Sequence, residues 1–82
     1  VMDKREKAQR ADALLKDDVL QEAFDGVLLY HTGVLTHVSA TDEEVLKARR
    51  MVLALNEVKG QLRRYVSTGD ILAKKDQDRE HD

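Results

Sequence analysis

Two stretches of this chain place apolar residues at steps of three and four. The first runs through Val19, Leu20, Ala23, Phe24, Val27, Leu28, Tyr30, His31, Val34, Leu35 and Val38. The second runs through Val45, Ala48, Val52, Leu55, Val58, Leu62, Tyr65 and Val66. That spacing predicts two long amphipathic helices, each with a stripe to bury. Leu46, Met51 and Leu53 widen the second stripe beyond a two-stranded seam, so it is expected to meet more than one neighbour. Ahead of both, Asp3 to Lys16 combines good helix formers with a thin apolar edge of Ala8, Ala11, Leu14 and Leu15.

Punctuation divides these stretches. Asp17-Asp18 offers an N-cap and an acidic first turn, which suits the positive end of a helix dipole and predicts a bend or restart there, or a continuous helix where tertiary packing overrides it. Gly33 and the β-branched residues weaken Tyr30 to Ser39 as an isolated helix. A strand over Gly33 to Val38 is the alternative, although a lone strand has no partner. Thr41 followed by Glu44 is a capping box placed just before an apolar run. The short connection makes the two long helices antiparallel neighbours. Ser67-Thr68-Gly69 is expected to end the second helix, with Gly69 in a left-handed C′ position and Arg63 and Arg64 complementing the dipole. Ile71 and Leu72 then fold back onto the hairpin. The expected architecture is all-α: an antiparallel helical hairpin of two long helices with a short or bent N-terminal extension, gathered into an oligomeric bundle. Residues 1–73 form its single domain and 74–82 a charged, flexible tail.

Composition supports that picture. With 82 residues, 37% charged and 41% apolar, the chain is too apolar for full disorder and too charged for a deep core of its own. It has no Pro to interrupt long helices. It has no Cys, which removes disulfides, thiol catalysis and cysteine-ligated zinc. A hydrophobic core in so short a chain rarely supplies more than about 3–5 kcal/mol, and self-association is the usual remedy. No apolar run is long enough to span a membrane, and Val1 to Lys7 has no apolar stretch behind it to make a secretory signal. A soluble chain made in the cytosol, with no membrane partner, is the expectation.

Candidate chemistry is sparse. His31 and His37 are six apart and do not share a helix face, and His81 lies in the tail, so no metal site and no cofactor are expected. The carboxylates at Asp17-Asp18 and Asp42-Glu43-Glu44 open helices, where capping accounts for them. Ser39, Thr41, Ser67 and Thr68 flank helix ends, outside any nucleophile elbow. With no acid, base and nucleophile grouped, no enzyme is expected. Gly26 and Gly33, one heptad apart, either allow a close helix crossing or are simply tolerated. The second helix carries six basic and four acidic residues, and the acids lie mostly in its first turn. Arg49, Arg50, Lys59, Arg63 and Arg64 are therefore candidate phosphate contacts. A solvated face is the simpler account, because no aromatic residues interleave with them as a stacking platform.

Arg10-Ala11-Asp12-Ala13-Leu14-Leu15-Lys16-Asp17, followed by Leu20-Gln21-Glu22-Ala23-Phe24, resembles the opening of a group of small phage- and prophage-encoded proteins. The second half is similar to them too: Asp42, Glu43, Ala48-Arg49, Leu55-Asn56-Glu57-Val58, Leu62, Val66-Ser67-Thr68-Gly69 and Leu72-Ala73-Lys74. Some of those proteins have Pro where this chain has Asp18, and often Trp where it has Tyr30 and His31. They accompany head, portal and packaging genes. The resemblance implies a phage structural or assembly protein, made in the host cytoplasm and carried in the virion or not. Its partners would be copies of itself or a larger head, portal or tail protein. Leu20, Phe24, Leu28, Val52, Leu55, Leu62 and Tyr65 are the expected interface. A nucleic-acid-associated accessory factor and a small inhibitor of a host protein are the alternatives.

Overall fold

Aspartates and a threonine mark where the helices begin. The structure, a computed structural model, describes residues 2–80, the last three by backbone alone. It contains α1 (Lys4–Lys16), α2 (Asp18–Thr36) and α3 (Asp42–Glu80). Asp3 caps α1, its carboxylate accepting from the backbone N–H groups of Arg5 at 2.7 Å and Glu6 at 2.9 Å. Asp17 is the C-cap of α1 and the N-cap of α2 at once, held extended at φ −72° and ψ 119°. Its side chain accepts from Leu20 N–H at 2.8 Å. The Gln21 amide donates back across this break to the Leu15 carbonyl. One non-helical residue thus produces the predicted restart.

The next reversal also follows local chemistry. His37 ends α2, its own N–H donating to the Val34 carbonyl at 3.2 Å and its Nδ1 accepting from Ser39 N–H at 3.1 Å. Thr41 and Glu44 close the capping box: Glu44 N–H donates to Thr41 Oγ1 at 3.1 Å, and Thr41 N–H to Glu44 Oε1 at 3.4 Å. Thr32 and Thr36 return their hydroxyls to the carbonyls of Leu28 and Thr32. This satisfies them inside a helix that their propensity disfavours. Gly33 to Thr36 is helical, not a strand.

α3 corrects the expected boundaries. Its 39 residues pass through Ser67-Thr68-Gly69 without a break, and no glycine in the described chain has positive φ. Gly69 is no C′ residue, and Ile71 and Leu72 do not fold back. Residues 74–80 continue the helix, while the last two positions of the expected tail, with His81, lie outside the described residues. Two long helices become three, because the N-terminal extension is a helix in its own right.

α1 and α2 lie end to end and antiparallel along α3, and α1 touches α2 only at their junction. Arg5 pairs with Asp76 at one end, and Asp25 meets Lys59 at 3.6 Å nearer the other. The inward positions of α3 keep a heptad rhythm through Val45, Ala48, Val52, Leu55, Lys59, Leu62, Val66 and Gly69. The result is a rod of 64 × 24 × 22 Å with a radius of gyration of 17.9 Å. A compact chain of this length would have a radius of about 12 Å.

Candidate interaction surface

The core is slight. Among the described residues only Ala8, Ala11 and Ala48 are buried, the last two at 2% and 1% exposure. No large side chain among the described residues is fully enclosed. The chain exposes 6824 Å², whereas a compact protein of its mass exposes about 5,000 Å². Val19, Val27, Leu29, Tyr30, Leu46, Met51, Leu53, Val58 and Ile71 are among the large apolar side chains left in solvent.

The residues expected at an interface lie elsewhere. Leu20, Phe24, Leu28, Val52, Leu55, Leu62 and Tyr65 are all half-buried. They fall along the seam that the chain makes with itself, with Lys59 over the Phe24 ring at 5.4 Å and Lys7 over Tyr65 at 5.0 Å. Sequence periodicity finds such a seam but cannot say whether the chain or a partner fills it. The second signal was a further rhythm beside the first. On α3, Met51, Ala54, Val58 and Gln61 also step by three and four, roughly a quarter-turn from the seam at about 100° per residue. On α2, Ala23, Val27, Tyr30 and Val34 do the same.

These two stripes lie on one side of the rod. Lys47, one turn before Met51, lines a groove together with Tyr30 and Val34. The opposite side groups Gln21 and Asp25 with Arg63, and Arg49, Asn56 and Asp70 stand at heptad intervals from Arg63 on α3. Leu29 and Leu46, both more than half exposed, share that side's offset from the seam, so it mixes charge with apolar surface. The other is apolar along Ala23, Val27, Tyr30, Met51, Ala54 and Val58, and charged where Glu44 and Lys47 continue the α3 row beside Tyr30 and Val34.

The candidate phosphate contacts do not gather. Arg49 and Arg63 project on the polar side, Arg50 and Arg64 on the outer side of α3, and Lys59 points inward, paired with Asp25 at 3.6 Å. His31 sits edge-on to Tyr30, ring centroids 5.1 Å apart, and is remote from His37. Among the described residues no three His, Asp or Glu side chains cluster as metal ligands, and no helix is long and apolar enough to cross a membrane. Gly26 and Gly33 face open space, so they make no crossing within the chain. The close crossing is at Gly69, where an added methyl would collide with the Ala8 side chain, whose Cα lies only 3.8 Å away. The signal for it was the small pair Ala8 and Ala11, repeating at helical spacing. Set beside family models, curated proteins and solved structures, the chain matches none of them.

Proposed function

We propose that this chain is a non-enzymatic phage structural or assembly protein. It works by helix-mediated self-association or by docking on a larger head, portal or tail protein. The carrying observation is the missing interior: a rod in which, among the described residues, only three alanines are buried, beside many exposed aliphatic side chains. Burying one such side chain is worth about 1.5–3 kcal/mol, so a handful of them can support association. The phage setting rests on the resemblance of residues 8–74 to phage-encoded proteins. It places the chain in the host cytoplasm during assembly, and in the virion if it remains bound.

The scattered arginines give a phosphate-binding reading no common surface. Thermal unfolding followed over a hundredfold range of protein concentration tests the association reading. A protein stabilised by its partners melts higher as concentration rises. A concentration-independent monomer of high melting temperature would sink it.

A further inference from the structure

We infer that this chain dimerises by exchanging arms: the turn between α2 and α3 opens into helix, and each copy lays α1 and α2 along α3 of the other. This rests on the association reading above, with a second copy as the partner and the internal seam as the contact.

The heptad frame carries the inference. A hairpin places no demand on the phase between its two arms, because the turn resets it, whereas a continuous helix keeps one phase. The alternating steps of three and four that run along the seam of α3 also run backward through the turn without a slip. They pass from Val45 to Thr41, Val38, Val34, His31 and Val27. On either side of the turn Val34 and Val45 are half-buried. Between them Val38 is 100% exposed, stranded on the frame by the reversal. Within α2, Val27 is 41% exposed, and the drift of a straight helix from a seven-residue repeat brings Leu28 and Leu35 into the seam instead.

Nothing in the turn opposes helix. His37 to Thr41 contains neither Gly nor Pro, and no residue there has positive φ, so each can take helical angles without strain. Opening breaks the bonds of Ser39 and Ala40 to His37 and the Thr41–Glu44 box. Helical bonds through the hinge replace them, giving one rod from Asp18 to Glu80, about 95 Å long at ~1.5 Å per residue. Neighbours across the hairpin, Tyr30 with Lys47 and Val34 with Glu44, converge on the turn. A two-fold axis therefore falls there, and Val38 of each copy enters the seam beside Thr41 of the other. The remaining seam contacts are kept but now join two copies, so exchange needs no new complementary surface.

Two variants and one distance test this on the full-length protein. Val38→Pro holds the turn shut. His37 is already extended at ψ 126°, as the residue before a Pro prefers, and the open helix would carry Pro in its interior in both copies. Thr41→Ala acts the other way, deleting the cap of the closed turn and giving the open one a better helix former. Sedimentation equilibrium should show a dimer mass for the unmodified chain. Its dissociation constant should rise at least about a hundredfold with Val38→Pro and fall about tenfold with Thr41→Ala. Spin labels attached at Glu22→Cys and Gln61→Cys, in a chain with no other Cys, are read after dilution into unlabelled protein. The hairpin keeps the two labels near the 24 Å width of the rod, and the open helix separates them by about 58 Å. Circular dichroism reports whether Val38→Pro stays helical, and Thr41→Ala with the label distance decides if it does not. A dimer with the short separation, or one indifferent to Val38→Pro, overturns the exchange while leaving self-association standing. A chain that is monomeric throughout overturns both.

Discussion

The two ends of α3 are packed by opposite strategies. Near its C-terminus it meets α1 through Gly69 against Ala8, a contact so close that Gly69 has no room for a methyl group. That half is finished by polar chemistry: Arg5 on Asp76, and Lys7 over the Tyr65 ring. Near its N-terminus α3 meets α2 through Leu20, Phe24, Leu28, Val52 and Leu55, all larger and all still half-exposed, with the small Ala48 the one buried residue there among those described. Small residues let two backbones approach and leave little apolar surface over. Bulky ones hold the backbones apart, and their flanks stay wet until something else covers them. One helix thus packs against its neighbours through a small-residue crossing at one end and through bulkier, half-exposed side chains at the other.

The largest expected effect breaks the bulky half. Leu55→Asp places a carboxylate in the α2–α3 seam, and burying it without a partner should cost about 3 kcal/mol or more. Circular dichroism should show lost helicity and scattering a loss of assemblies. A variant that stays folded and equally assembled would mean that the seam contributes little to either. The next effect sharpens the contrast by making one substitution in both halves. Gly69→Ala overpacks the α1 crossing and should destabilise by about 1–3 kcal/mol. Gly26→Ala fills open space on α2 and should stabilise by up to about 1 kcal/mol through helix propensity. Opposite signs in denaturant titrations are expected. Equal signs would mean that the Ala8–Gly69 contact is not a constraint.

The glycine pair also shows what the sequence could and could not say. Thr41 with Glu44, and Asp17 before Leu20, were legible because a cap is decided within four residues. The all-helical class was legible because periodicity is a local property repeated many times. Gly69 was misread as a stop because a glycine after Ser67-Thr68 has the same local grammar whether it ends a helix or admits another one. Only the partner distinguishes the two, and that partner, Ala8, is far away in sequence. The heptad run Leu62, Val66, Gly69 carried the continuation, but it is persuasive only once α1 lies on it. The candidate contact residues posed a similar difficulty: the strongest apolar rhythm lies along the seam the chain makes with itself, and periodicity alone does not say what else meets it.

The smallest expected effect concerns the finished half alone and has a defined sign. The Asp3 carboxyl is held below its ordinary value of 3.8 by the backbone N–H groups of Glu6 and Arg5, with the Arg5 charge adding slightly. A depressed carboxylate contributes stability that is fully present above the unfolded value and disappears as pH falls through the folded one. Acidification from 3.8 downward should therefore loosen the first turn of α1. Lys16, raised above 10.5 by its bond to Asp12, sets the opposite window: its contribution is complete below that value and is lost as pH climbs past the folded one. The amide resonances of Arg5 and Glu6 report the acid event directly, since those N–H groups donate to Asp3. They should titrate together below 3.8. Asp3→Asn, which retains a neutral cap, should flatten both curves, because Asn serves nearly as well at this position and cannot ionise. A titration at or above the ordinary carboxyl value would show that the cap is not formed in solution, and α1 would then owe its helical start to packing against α3 alone.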